Sequence, residues 1–226
     1  MNTAFRKPTR RNFIAKTITA VTGFTGLTLF PQIGMSREFT QDDEINILGP
    51  KQGYSPQIGT LVSMMTWMRS VVLMSVEKLK QADLDFLFDA NSNTIGALLM
   101  HLAATETFYQ LNTFEGFTGR TMNDDFKNKW SKWNTAMNLG EGARKSIKGN
   151  ELKYYTDILA EVREKTLTEF RKRDDEWLMQ IDPKFFGGKP TNNYCKWFHV
   201  CEHESNHNGQ IKWLVKRIPG AKAGGD

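Results

Sequence analysis

Acidic residues are missing from the first 37 positions, and cysteine and histidine are scarce throughout. The two cysteines are Cys195 and Cys201. On one helix that separation spans ~9 Å and turns the side chains to different faces, which excludes a disulfide within the helix. Buried free thiols are the expectation, and an oxidising compartment is not required. Arg6, Lys7, Arg10, Arg11, Lys16 and Arg37 fall in the acid-free stretch, so the other 24 basic side chains face all 25 acids of the chain. The net charge of +5 therefore belongs to the N-terminus, and the argument for a nucleic-acid partner goes with it. A 39% hydrophobic, 24% charged composition excludes collagenous, low-complexity and multi-spanning chains and leaves one globular core with an appendage.

Thr9-Arg10-Arg11-Asn12-Phe13-Ile14, followed by Lys16 and a weakly apolar run rich in Thr and Gly, reads as a secretory leader. The paired arginines before an aromatic residue resemble the twin-arginine export type. The run from Ile18 to Ile33 is shorter than the ~20 apolar residues that cross a bilayer. The expectation is export to the periplasm by twin-arginine translocation. No A-x-A cleavage site follows, so membrane association through an uncleaved leader stays open. The expected organisation is a leader over 1–36, a Gly- and Pro-containing linker over 37–56, a helical bundle over 57–218 and a tail over 219–226.

Four amphipathic patterns fill the bundle. They run from about Gln57 to Lys80, Asn93 to Asn112, Glu151 to Gln180, and from after Thr191 to Pro219, and no β-alternation competes with them. Asn91 to Asn93 offer caps to the second, and the many Glu, Lys and Arg residues of the third read as a solvated face. About 36 residues separate the second and third patterns. A connection of that length permits a crossover, so the expected fold class is all-α, a four-helix bundle with a long crossover between helices 2 and 3.

Of the four histidines, His199, His203 and His207 share one short stretch of the last helix and His101 lies on the second. Residues i and i+4 stack on one helix face, so either 199/203 or 203/207 could present two imidazoles to one ion. His199 and His207 are ~12 Å apart along the axis and cannot both join it. His203 and His207 lie on the apolar line Val200, Ile211, Leu214, and His101 on the line Leu98, Thr105, Phe108. Core-facing imidazoles need partners for a donor and an acceptor each, and a shared metal ion supplies one.

Ile95-Gly96-Ala97-Leu98-Leu99-Met100-His101-Leu102-Ala103 with Glu106, together with His199 to Ile211, resembles the DinB/YfiT-like family over roughly residues 57 to 218. The resemblance implies a four-helix bundle, often a homodimer, that holds one divalent metal ion through His101, His203 and His207. Asn206 and Asn208 depart from the family pattern, where His and Arg are common. Relatives include metal-dependent thiol S-transferases, isomerases and hydrolases.

His203-Glu204-Ser205-Asn206-His207 also matches H-E-x-x-H, the zinc-peptidase spacing, but no downstream His or Glu is present to complete it. Three imidazoles leave a coordination position open, which suits zinc or nickel activating a bound thiol or water. The expected function is a metal-dependent thiol transferase or hydrolase acting on a small electrophile, with a low-molecular-weight thiol as co-substrate. Glu204 or Glu202 would be the catalytic base, and Phe108 and Trp67 would line the pocket. A non-enzymatic module that binds a metal or small ligand is the alternative.

Overall fold

A computed structural model of the chain describes residues 45–117 and 123–221. The expected leader over 1–36 lies outside them. Four long helices dominate: α1 (Pro56–Val76), α2 (Ile95–Phe114), α3 (Leu152–Phe170) and α4 (Asn193–Val215). α1 packs on α4, α4 on α2, α2 on α3, and α3 back on α1.

The core fixes their directions. One apolar cluster joins Val72 and Val76 at the end of α1 with Ile95 and Leu98 at the start of α2, Tyr155 at the start of α3 and Leu214 at the end of α4. The other joins Ile58 and Leu61, Tyr109, Phe170 and Trp197 from the opposite helix ends. So α1 and α4 run one way and α2 and α3 the other. Parallel neighbours cannot be joined by a tight turn, and the chain between α2 and α3 must travel back along the bundle. It does so through the short helices Asp124–Trp130, Asn134–Asn138 and Gly140–Ser146. The all-α bundle with its crossover is the fold expected from the sequence.

Helix ends depart from the sequence reading where tertiary contacts take over. α3 stops at Phe170 rather than Gln180. Arg173 Nη1 donates to the Glu169 carbonyl, and Asp174 caps a new short helix, Asp175–Met179, by accepting from Trp177 N at 2.8 Å. The break brings Trp177 onto Phe114 and Phe170 and buries Leu178 completely. Full burial of Leu178 stabilises the break by about 1.5–3 kcal/mol. Asp175 then caps α1 from 118 positions away, its carboxylate accepting from Gln57 N at 3.0 Å. At α2, Thr94 rather than Asn93 is the cap, accepting from Ala97 N.

Residues 45–55, part of the expected linker, lie along α1. Trp67 Nε1 donates to Asn46 Oδ1, Gly49 N donates to Ser63 Oγ, and a Cβ on Gly59 would meet Lys51 N at 2.4 Å. Glycine is what lets that strand of chain approach the helix. α1 is long and apolar enough to cross a membrane by length and composition, yet Ile58, Leu61, Met65, Val72 and Val76 are all fully buried, as in a core helix. A two-residue antiparallel ladder, Ile181–Asp182 against Thr191–Asn192, closes a hairpin before α4. It is too short to show alternation in the sequence.

Candidate metal centre

α2 and α4 run antiparallel and meet along a seam, which sets His101 opposite His203 and His207. His203 Nε2 lies 2.8 Å from His101 Nε2 and 3.1 Å from His207 Nε2. Thr105 Oγ1, one turn beyond His101, is 3.3 Å from the same His203 nitrogen.

The outer nitrogens decide what the inner ones can do. His101 Nδ1 is 3.0 Å from the Ala136 carbonyl, so it carries the proton and donates there. His207 Nδ1 faces Gln210 Oε1 at 3.2 Å and donates likewise. Both Nε2 atoms are then lone pairs, and His203 Nε2 could donate to only one of them. Two nitrogens bound to one ion at ~2.0–2.1 Å stand about 2.9 Å apart at right angles and about 3.3 Å apart at a tetrahedral angle. The 3.1 Å spacing falls within that range and the 2.8 Å spacing just below it, and the three side chains could hold a metal ion. Burial first, and then the neighbouring imidazoles, pushes His203 down to about 3, and burial followed by His101 pushes His207 down to about 4. Burial lowers His101 as well. All three are neutral at pH 7, the form that ligates.

The crossover therefore contributes to the site as well as connecting helices. Ala136 is held against His101 by the next turn, where Leu139 has φ 54° and ψ −149° and Gly140 N donates to Asn93 Oδ1 at 2.9 Å. That backbone region is almost exclusive to glycine and costs a leucine on the order of 1–3 kcal/mol.

The His199 ring packs 5.1 Å from that of His203, but its nitrogens turn to other partners. Its Nδ1 is 2.9 Å from the Tyr109 hydroxyl and its Nε2 is 3.8 Å from Glu202, with Phe186 of the hairpin against its ring. Of the two pairs open from spacing, the structure brings 203/207 to His101. Phe108 belongs to an aromatic wall with Tyr109, Trp130 and Phe185. Trp67 does not join it, because its indole is engaged by Asn46.

The sequence model of the mycothiol-S-transferase family matches residues 60–220, which contain α2, α3, α4, nearly all of α1 and all three inward histidines. The chain belongs to the mycothiol-S-transferase family, a DinB-like family. A comparison with curated proteins gives no match.

In this family member the glutamate of the H-E-x-x-H stretch is not at the histidines. Glu204 is 1% exposed, and its Oε1 accepts from Arg69 Nη2 at 2.6 Å and from Arg163 Nη2 at 2.8 Å. Glu106 completes the group, 2.9 Å from Arg69 and 2.8 Å from Arg163, with Thr166 donating to it at 2.7 Å. Each of the four helices thus contributes one charge to a neutral buried quartet. Removing four ions from water costs several kcal/mol each, so the cluster is tolerable only because the guanidinium groups are shared and also donate to the carbonyls of Leu159 and Met65. Burial opposes ionisation of Glu106, but Arg163 and Arg69 outweigh it and hold the carboxyl below the usual range.

Both arginines engage Glu204 through Oε1, while its Oε2 is buried with no hydrogen-bond partner among the described residues. Glu202 is exposed and faces His199, outside the trio. Reading α3 as carrying all its charges toward solvent missed Arg163, which is 8% exposed. The available signal was position: Arg163 lies on the apolar stripe of Tyr155, Leu159, Thr166 and Phe170, and Arg69 on that of Met65, Val72 and Val76. Of the two departures from the family pattern, Asn208 is buried and accepts from Ser75 on α1, while Asn206 accepts from Gln210 on the outer face.

Proposed function

We propose that this chain is an exported, metal-dependent thiol S-transferase that joins a low-molecular-weight thiol to a small electrophile. The observation that carries it is the convergence of His101, His203 and His207 through their Nε2 atoms, in a chain of a family named for thiol transfer. A divalent ion, zinc or nickel, held by these three side chains would supply Lewis acidity that favours thiolate over thiol at neutral pH. Ala136 and Gln210 fix the rings of His101 and His207 through the outer nitrogens, so no proton blocks the inner nitrogens of those two. Thr105 offers a hydroxyl at the edge of the site. With Glu204 sequestered, the H-E-x-x-H stretch here lacks the base a peptidase needs.

The test is metal content and thiol consumption in the same preparations. The parent chain should hold about one divalent ion and consume an aliphatic thiol in the presence of an alkylating electrophile. His203→Ala should lose both, and His199→Ala should keep the metal. Equal metal content in the parent and His203→Ala would overturn the site. Metal binding without thiol consumption would leave a binding module.

A further inference from the structure

A cavity of about 360 Å³ lies between α2, α3 and the crossover, within the size range of small-molecule sites. Thr107 of α2 lines it, as do Glu161 of α3 and Lys132 of the single 3-10 turn Ser131–Trp133. A smaller cavity of about 240 Å³ adjoins it, since Lys132, Trp133, Glu161 and Val162 line both. Met100, Tyr154 and Ile158 make up the rest of the smaller one, so a polar compartment stands beside an apolar one. None of the three inward histidines lines either compartment.

Two features give the larger compartment a chemical character. Thr107 is 8% exposed, and its hydroxyl has no hydrogen-bond partner among the described residues. A hydroxyl inside a helix can donate to the carbonyl one turn back, as Thr66 and Ser75 do within α1 and Thr113 does within α2. Thr107 does not, and a buried hydroxyl with no bond made is destabilising. The second feature is unspent charge. At one end of the compartment Lys129 and Lys165 both donate to Glu115, at 2.7 and 3.0 Å, and these charges are paired. Lys132 on the crossover wall and Glu161 on the α3 wall carry opposite charges, yet neither enters an ion pair among the described residues. The Lys132 ammonium instead lies 4.9 Å from the centre of the Trp133 ring.

We propose that the two compartments form a binding site for a free amino acid with a branched or aromatic apolar side chain, separate from the metal centre and independent of the proposed transferase reaction. The carboxylate of the ligand meets Lys132 and accepts from the Thr107 hydroxyl, its ammonium donates to Glu161, and its side chain enters the compartment of Met100, Tyr154 and Ile158 against Trp133. A zwitterion fits an unpaired cation and an unpaired anion on the two walls of one groove. A simple carboxylate would meet like charge at Glu161, and a simple amine would meet it at Lys132.

The test is isothermal titration calorimetry of the full chain with L-leucine, with N-acetyl-L-leucine, which lacks the ammonium, and with L-leucinamide, which lacks the carboxylate. L-Leucine should bind, and each blocked derivative should bind about tenfold more weakly, the loss that goes with one hydrogen bond to a charged group. Glu161→Gln should remove the discrimination against N-acetyl-L-leucine, and Lys132→Gln the discrimination against L-leucinamide. Both positions are exposed, so neither change threatens the fold. Thr107→Val keeps the side-chain shape and removes the hydroxyl. It should weaken L-leucine binding about tenfold with the melting temperature equal or higher, because no group of the chain loses a partner. Absence of binding by L-leucine, equal binding of the three ligands, or unchanged L-leucine affinity in Thr107→Val overturns the site.

Discussion

Glu204 follows His203 directly in the chain, yet its Oε1 lies 2.8 Å from Arg163 Nη2 on α3 while the His203 ring faces α2. Successive positions on a helix point about 100° apart, so one turn of α4 serves two neighbours. The imidazole goes to the seam with α2, and the carboxylate goes to the centre of the bundle. A motif defined by spacing alone does not separate these two destinations.

Glu204→Gln should therefore act on stability before it acts on chemistry. Taking one carboxylate from the quartet leaves two buried guanidinium groups with Glu106 alone, a loss on the order of 3–5 kcal/mol. Urea unfolding of parent and variant measures it. A variant as stable as the parent but devoid of turnover would return Glu204 to the role of base.

Glu106 sets a dependence on acid. Arg163 and Arg69 hold its folded carboxyl below the ordinary 4.5 against the effect of burial. The unfolded chain then binds more protons between the two values, and stability falls as pH drops from about 4.5 through the folded value. Above 4.5 the contribution is constant. The urea midpoint of the parent should decline through this window faster than that of Glu106→Gln, and parallel declines would contradict the assignment.

Leu139→Gly tests the strained turn that seats Ala136. Relief of a backbone cost of about 1–3 kcal/mol offsets the lost packing of a half-buried leucine, worth about 1.5–3 kcal/mol when fully buried. The net change in unfolding free energy should stay within about 1 kcal/mol. A loss of ordinary core size, about 2–5 kcal/mol, would show that the turn carries no strain.

We propose that Thr9-Arg10-Arg11-Asn12-Phe13 directs export of a folded chain. Replacing Arg10 and Arg11 together by Lys should hold the protein in the cytoplasm, as read by cell fractionation. Unchanged export would assign another route.

Local periodicity determined a good deal of this protein by itself. Apolar residues at three-and-four spacing marked the four helices, and the connection after α2 was long enough for the crossover that two parallel neighbours require. His101, His203 and His207 were readable because they occupy apolar faces and because the residues around them resemble a known family. Tertiary structure alone decided the rest, since it depends on which face meets which neighbour. The Ala136 carbonyl at His101, the Asp175 cap on α1 and the pairing of His199 with Tyr109 all join groups far apart in the chain. The buried quartet is the clearest case. Arg69 and Arg163 lie on apolar stripes in the sequence, but only the closing of four helices around one point brings them together with Glu106 and Glu204 and makes each the partner the others need.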